Sequence, residues 1–316
     1  MEDRVYALAL ASFDVPAAVI DVAEPVAAPG EVLVRVGASS VNAYDVAVAG
    51  GFMKDFLPYR FPVVIGNDVA GTVTALGEGV TGLSIGDRVF GMMAMRGEIH
   101  DGSIAEIANP QAASLVVAPD GLSDADAGTL SVAGTTAMSA VESVAPSGGD
   151  RILIVGATGG VGTFAIQLAA RRGAHVIASV RPGDEDFVTQ LGAAETVDYT
   201  GDLVGAVHER HADGIDGVID AVNREQAAFA ALTGVIRAGG RATSVVGGAG
   251  ETSQIGDVSV SNTGSNPGHL PALAGFVVHG QLRVAIRLTY PLADAAAAVH
   301  AFATEHTLGK LVISVP

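Results

Sequence analysis

Hydrophobic and polar positions along this chain follow two different rules. Over residues 1–121, short apolar runs such as EVLVRVGASSV, VAGTVTALG and DRVFGMM alternate with polar positions. They are cut by turn signals at Pro29-Gly30, Gly77, Gly79, Gly82 and Gly86-Asp87. Alternation in runs this short predicts the strands of a β-rich, barrel-like unit. From residue 122 the pattern becomes strand, then amphipathic helix. RILIVG leads into a helix to Arg172, HVIASV into a helix to Leu191, ETVDY into a helix near 202–210, and DGVIDAV into a helix to Arg237, with RATSVVG last. That spacing specifies an α/β fold with a mainly parallel, doubly wound sheet and right-handed crossovers. The final stretch, LRVAIRLTYPLADAAAAVHAFATEHTLGKLVISV, reads strand, helix, strand. Its strands need a sheet to join and the parallel sheet is already complete, so it is expected to fold back onto the first unit. The expected domains are therefore 1–121 with 281–316, and 122–280.

Composition narrows the class. With 316 residues, 49% hydrophobic and 16% charged, the chain has enough apolar surface for two ordinary domains. Its 34 acidic against 17 basic residues give a net charge of −17, which argues against a nucleic-acid or anionic-membrane partner, since phosphate attraction needs a basic face. Lysine occurs only at Lys54 and Lys310. The absence of cysteine removes disulfides, thiolate nucleophiles and cysteine-ligated zinc. The opening MEDRVYALALASFDVP sets Glu2 and Asp3 beside Arg4 and has only a short apolar run, unlike a secretory signal. No apolar run is long enough to span a bilayer. A soluble cytoplasmic protein is expected.

The chemistry is most legible at ILIVGATGGVGT, residues 152–163, where Gly156, Gly159 and Gly162 are spaced G-x-x-G-x-x-G between a strand and a helix. Val161, Ala165, Leu168 and Ala169 give that helix an apolar stripe, and Gly173 marks its stop. A dinucleotide pyrophosphate needs bare amides at a helix N-terminus, and a Cβ on the turn would hold it away. The alternative is a purely structural tight turn. At the end of the next strand a NAD site normally carries an acid for the ribose 2′-hydroxyl. Here Ser179-Val180-Arg181 stands instead, with no acid until Asp184. A guanidinium and a hydroxyl suit a 2′-phosphate, favouring NADPH; otherwise Arg181 is a solvated loop residue before Pro182-Gly183.

With these passages in view, the chain resembles the medium-chain dehydrogenase/reductase superfamily, in its zinc-independent quinone oxidoreductase branch. The resemblance covers nearly the whole length and rests on SSVNAYDVAVAGG, FPVVIGNDVAGTV, LSIGDRVFG, GTTAMSAVE with the glycine turn, and LGKLVISV, in that order. It implies a GroES-like catalytic domain built from both chain ends, a Rossmann coenzyme domain between them, and a cleft at their junction. Zinc-dependent relatives carry a cysteine near Asn42 and a histidine where Gly66-Asn67-Asp68 stands. An amide oxygen is a poor zinc ligand beside thiolate or imidazole, so no catalytic metal is expected. Asn42 and Asp45 resemble residues at the nicotinamide end. Asn42 reads either as a donor to the acceptor carbonyl or as a turn cap; Asp45 orders a helix start, and Asp68 is structural. Tyr44 and Tyr59 read as packing residues or as groups approaching the cleft. For the cofactor, Thr136 resembles the family threonine near the nicotinamide. Thr158, Gly159, Gly160 and Val161 match the pyrophosphate turn, as do Gly156 and Gly162. Ser179, Arg181 and Tyr199 match the 2′-phosphate region, and Lys310 a C-terminal lysine near the phosphate. Ala221, Val222, Val246, Gly247 and Asn262 follow successive strands where an α/β sheet opens its crevice.

The resemblance has departures. Ala47 and Ala49 stand where relatives often carry an aromatic and an arginine, implying a roomier, less charged acceptor pocket. Phe52 follows Gly51 where enoyl reductases place a tyrosine. In the loop MRGEIHDGS, His100 is the lone histidine and reads as exposed. The implied activity is hydride transfer from NADPH to a quinone or α,β-unsaturated carbonyl without metal, in a homodimer pairing a strand near Val258–Val260. A nucleotide-binding protein with a structural or regulatory role is the alternative, and a zinc alcohol dehydrogenase is disfavoured.

Overall fold

The structure, a computed structural model, describes residues 4–93 and 97–316. Glu2 and Asp3 at the start, and Met95 and Arg96 at the head of MRGEIHDGS, lie outside the described residues. By internal contact the chain divides into two compact units, Met1–Val132 with Pro267–Pro316, and Ala133–Asn266.

The first section contributes β1 Arg4–Leu10, β2 Ala18–Ala23, β3 Val32–Ser40, α1 Ala43–Ala49, β4 Val63–Val64, β5 Asp68–Leu76, β6 Arg88–Met92, β7 Ile107–Ala108, β8 Leu115–Val117 and α2 Asp124–Thr129. Alternating side chains let β1 bury Val5 and Ala7 while Arg4 and Tyr6 stay exposed, so it pairs antiparallel with β2 and β4. β3 and β5, nine residues each, pair antiparallel with two register shifts. Such irregularities bend a strand and let a sheet curl. α2 starts where the Ser123 hydroxyl accepts from the Asp126 amide at 3.1 Å. It packs on β3, β5 and β6, so this stretch sides with the β-rich unit and not with the parallel sheet that follows.

The second unit contains α3 Thr135–Val144, β9 Arg151–Val155, α4 Gly160–Arg171, β10 His175–Val180, α5 Glu185–Thr189, β11 Glu195–Asp198, α6 Leu203–Arg210, β12 Ile215–Asp220, α7 Gln226–Thr233, β13 Ile236–Ser244, β14 Gln254–Ile255 and β15 Val258–Asn262. The sheet order is β11-β10-β9-β12-β13-β15-β14, parallel except for β14. The order reverses between β9 and β12, which is where an open sheet leaves a crevice beyond its strand ends. Four consecutive buried residues in β9, Ile152 to Val155, fit a strand covered on both faces. Two expected helices are shorter than their apolar pattern suggested. α5 stops at Thr189, and α7 stops at Thr233, because Ile236 and Arg237 already belong to β13. The strand expected to pair across a two-fold, at Val258–Val260, is paired on both sides, by β13 and β14.

The last section supplies α8 Leu270–Val278, β16 Ile286–Pro291, α9 Ala295–Thr304 and β17 Lys310–Ser314. β17 runs antiparallel to β3, with Val312 opposite Ser40, and completes the sheet β16-β17-β3-β5-β6-β8. Leu8, Val34, Ile65 and Val69 therefore share one apolar core with Ala295 and Leu311. Within α9's alanine run, Ala295 and Ala298 are buried, and small side chains let this helix lie close to α1. Both ends of the chain thus build one unit.

Candidate functional site

β9 ends at Val155 and Gly156 follows with φ of +81°, a conformation that glycine adopts without steric cost. A Cβ on Gly162 would fall on the Gly156 carbonyl oxygen and 2.7 Å from Ala157 Cα. That close packing sets the start of α4 directly against the strand end. α4 has Gly159 at its N-cap and no side-chain cap, so its first amides are left for an anion. The residues present therefore fit a dinucleotide pyrophosphate. Gly162→Ala should abolish dinucleotide binding and lower the melting temperature, because the alanine methyl meets backbone that cannot rotate away. Titration of nicotinamide fluorescence, with a melting curve, checks this.

The other expected cofactor residues follow the same strand ends but differ in what they do. Arg181 is exposed, with Nε donating to the Tyr199 hydroxyl at 2.6 Å and its guanidinium carbon 5.9 Å from that ring's centroid. Its two terminal nitrogens make no bond among the described residues. Ser179 is 1% exposed and its hydroxyl accepts from the Gly156 amide at 3.1 Å, so it braces the glycine turn instead of facing outward. Thr136 and Thr158 are buried, in the first turn of α3 and within the glycine turn. Val222 is exposed after Ala221, and its methyl lies where a Gly156 Cβ would go. Val246 and Gly247 form a turn closed by Ser244, whose hydroxyl accepts from the Val246 and Gly248 amides. Asn262 clamps the neighbouring loop through the Ala249 amide and Gly250 carbonyl. Asp220, which no motif in the sequence singles out, ends β12 with Oδ1 accepting from the Val222 and Asn223 amides and Oδ2 buried without a partner among the described residues. Burial pushes its carboxyl up from the ordinary range.

In the first unit, Asn42, Asp45, Asp68 and Lys310 form one buried network. Asn42 is the N-cap of α1, and its backbone amide donates to Asp45 Oδ2 at 2.7 Å, the helix-start role expected of Asp45. The Asn42 Nδ2 donates to Asp68 Oδ2 at 2.8 Å and to the Ser40 carbonyl at 3.3 Å, while its Oδ1 accepts from Lys310 Nζ at 2.6 Å. Both the nitrogen and the oxygen of the Asn42 amide therefore have partners within the network. Asp68 also accepts from the Ser40 hydroxyl and the Val132 amide, a structural role. Lys310 is placed quite differently from the expected phosphate contact. It is 2% exposed, with Nζ on the Val41 carbonyl at 3.1 Å and 3.5 Å from Asp68 Oδ2. An ammonium turned inward has no donor left for a surface phosphate. Burial lowers the Lys310 pKa against the pull of Asp68 and Asp45. Burial, then the neighbouring Asp68 charge, push Asp45 up to about 7, and its Oδ1 has no partner among the described residues.

Next to this network lies a cavity of about 100 Å³ whose wall includes Tyr44, Asn67, His100, Arg60, Val48 and Met93. Tyr44 comes from α1, Asn67 from the turn before β5, and His100 from a segment held along residues 60–64. Two backbone bonds hold that segment: Val64 N to His100 O at 2.8 Å and Arg60 N to Ile99 O at 3.0 Å. The Tyr44 hydroxyl makes no hydrogen bond among the described residues, and burial followed by the Asp45 charge raises its pKa, so it stays protonated. Among the described residues, Asn67 Oδ1 is buried and has no hydrogen-bond partner. Tyr59 packs against Phe13 and Phe61 and donates to the Val48 carbonyl, a packing role. His100 is half-buried in the cavity wall and not a free loop residue. No local signal in the sequence joins positions 44, 67 and 100.

Two family models match in order along the chain, the alcohol dehydrogenase GroES-like domain over residues 28–120 and the zinc-binding dehydrogenase over 160–267. Together they span more than half of it. A chloroplast envelope quinone oxidoreductase homolog from Arabidopsis thaliana is 33% identical over 210 residues, covering 65% of this chain and 63% of the relative. A chloroplastic quinone-oxidoreductase from Triphysaria versicolor is 36% identical over 57% of this chain and 56% of its own length. The alignments thus span somewhat over half the length of these curated relatives. The solved structure of the quinone oxidoreductase from Coxiella burnetii superposes with a TM-score of 0.86 at 26% identity, covering 99% of this chain and all of that one. Among the described residues no helix is long and apolar enough to cross a membrane. The chain, a GroES-like unit and a Rossmann-type unit, belongs to the medium-chain dehydrogenase/reductase superfamily, in its quinone oxidoreductase-like branch.

Proposed function

We propose that this protein is an NADPH-dependent oxidoreductase that reduces a quinone or an α,β-unsaturated carbonyl without a catalytic metal. The observation that carries the reading is the uncapped start of α4 behind Gly156–Gly162, with Arg181 and Tyr199 rather than an acid beyond β10. The pyrophosphate would sit on the α4 amides, and Arg181 would pair with the 2′-phosphate from its free terminal nitrogens, Tyr199 fixing its side chain. When bound, the reduced nicotinamide supplies a hydride. Metal independence is supported by the state of Asn42, whose oxygen already holds the Lys310 ammonium at 2.6 Å. A cation could take that oxygen only by displacing a buried charge. A cytoplasmic homodimer remains part of the proposal, its interface elsewhere than the doubly paired β15.

Arg181→Ala should weaken NADPH binding roughly tenfold or more, the scale of a lost charge-assisted hydrogen bond, and leave NADH nearly unchanged. Fluorescence titration with both cofactors tests this. Equal loss for the two would remove the 2′-phosphate assignment.

A further inference from the structure

Three polar groups with no hydrogen bond among the described residues line the cavity of the first unit. They are the Tyr44 hydroxyl, Asn67 Oδ1 and one nitrogen of His100. The state of His100 can be read from its partner. Its Nδ1 lies 2.7 Å from the Arg60 carbonyl oxygen, and a carbonyl only accepts, so Nδ1 carries a hydrogen. The remaining nitrogen, Nε2, is then a base in the neutral ring and a donor in the protonated ring. It makes no hydrogen bond among the described residues, and the nearest carboxylate oxygen, on Asp101, is 3.7 Å away. Among the described residues, the other charged groups lining the cavity are Arg60 and Glu98, which pair with each other at 2.8 Å, beside the Tyr44 phenol. The main-chain bonds at residues 60, 64, 99 and 100 fix this arrangement, so the imidazole is aimed by backbone and not by a mobile side chain.

From this geometry we infer that His100 is the proton donor of the reduction, with the Tyr44 hydroxyl holding the acceptor's carbonyl oxygen in the same cavity. The inference rests on the proposed hydride transfer from a nicotinamide dinucleotide. At an enone the hydride, released as a nicotinamide C–H bond breaks, makes a new C–H bond at the β-carbon; the C=C pair becomes the enolate double bond between the α-carbon and the carbonyl carbon, and the C=O pair moves onto the oxygen. The Nε2–H bond breaks and its proton goes to the resulting enolate. The acceptor has then gained one hydride and one proton, the nicotinamide is oxidised, and His100 is neutral until solvent returns a proton. A quinone takes the same hydride and proton to become a hydroquinone. Tyr44 is suited to the oxygen because its hydroxyl stays protonated and has no other partner among the described residues. At about 100 Å³ the cavity is smaller than the ~150 Å³ that accommodates benzene. It takes the carbonyl end of an acceptor and leaves the remainder outside.

His100→Asn keeps a side-chain nitrogen where Nδ1 lies, and so the Arg60 contact, but removes Nε2. The first readout needs no cofactor: 4-nitrophenol, whose phenolate imitates an enolate or hydroquinone anion, is titrated by its absorbance. Wild type should bind it, and His100→Asn and Tyr44→Phe should each weaken binding about tenfold. With NADPH and a naphthoquinone, His100→Asn should then lose about 10²-fold or more in kcat, the scale of general-acid catalysis. NADPH affinity and the melting curve should stay unchanged. His100→Ala should regain turnover when free imidazole is added, which a merely structural role would not produce. Wild-type kcat in His100→Asn, or loss in His100→Ala that imidazole does not restore, overturns the assignment. A wild type that binds the phenol through His100 but binds no NADPH overturns the proposed function and leaves the pocket standing.

Discussion

Replacing Lys310 with methionine is expected to cost roughly 3–5 kcal/mol at neutral pH, the range measured when one partner of a buried ion pair is removed. Three ionisable groups are enclosed together, Asp45 and Asp68 at 0% exposure and Lys310 at 2%. With both acids ionised the set carries one net negative charge, and without the ammonium it carries two. Methionine matches the lysine stem but leaves the Val41 carbonyl and Asn42 Oδ1 without their donor. Urea midpoints across a pH series check this. The loss should shrink as pH falls and Asp45 takes up a proton. The double variant Lys310→Met with Asp45→Asn, which returns the set to one negative charge, should recover part of the stability. Lys310→Met with a wild-type midpoint at neutral pH would mean that the network is not holding these charges.

The second large effect belongs to Asp45 itself. Burial, then the Asp68 charge, raise its carboxyl to about 7 from a reference of 3.8. The folded state therefore favours the protonated form. Its contribution to stability is complete below the unfolded value and is lost as pH rises from there through about 7. At roughly 1.4 kcal/mol for each pH unit separating the folded from the unfolded value, the two ends of that window differ by about 4 kcal/mol. Asp45→Asn should flatten the profile. It keeps an oxygen for the Asn42 amide, and its new NH₂ occupies the side that has no partner, so no existing bond is broken. Melting temperatures between pH 4 and pH 8 should fall in wild type and stay level in the variant, apart from the contributions of other groups.

The fold was legible because its two patterns are local. Alternation in β3 and β5 and the run of buried residues in β9 follow from which faces those strands cover. The return of β17 to β3 was legible from a count of strands seeking a sheet. Helix ends were less so. α7 closes at Thr233 although Val235 and Ile236 continue its apolar pattern, because those side chains are buried as the entry to β13. Among site residues, the glycine turn needed only its own spacing, and Arg181 and Tyr199 follow neighbouring strands in a predictable crossover. The role of Ser179 was not legible, because a hydroxyl at a strand end can face either the crevice or the turn behind it, and only the 3.1 Å contact with Gly156 decides.

Local sequence pattern was enough for the two-unit architecture and for the place of the glycine turn between β9 and α4. Both depend on periodicities and backbone freedoms expressed within a dozen residues. Tertiary contacts alone settle where Lys310 and His100 lie. Lys310 meets Asn42 across 268 positions of chain, through the register of β17 on β3. His100 meets Tyr44 and Asn67 through backbone bonds to residues 60–64. Register between distant strands is fixed by the burial of whole faces, so a charged residue's partner, and with it its chemistry, is not written beside it in the chain.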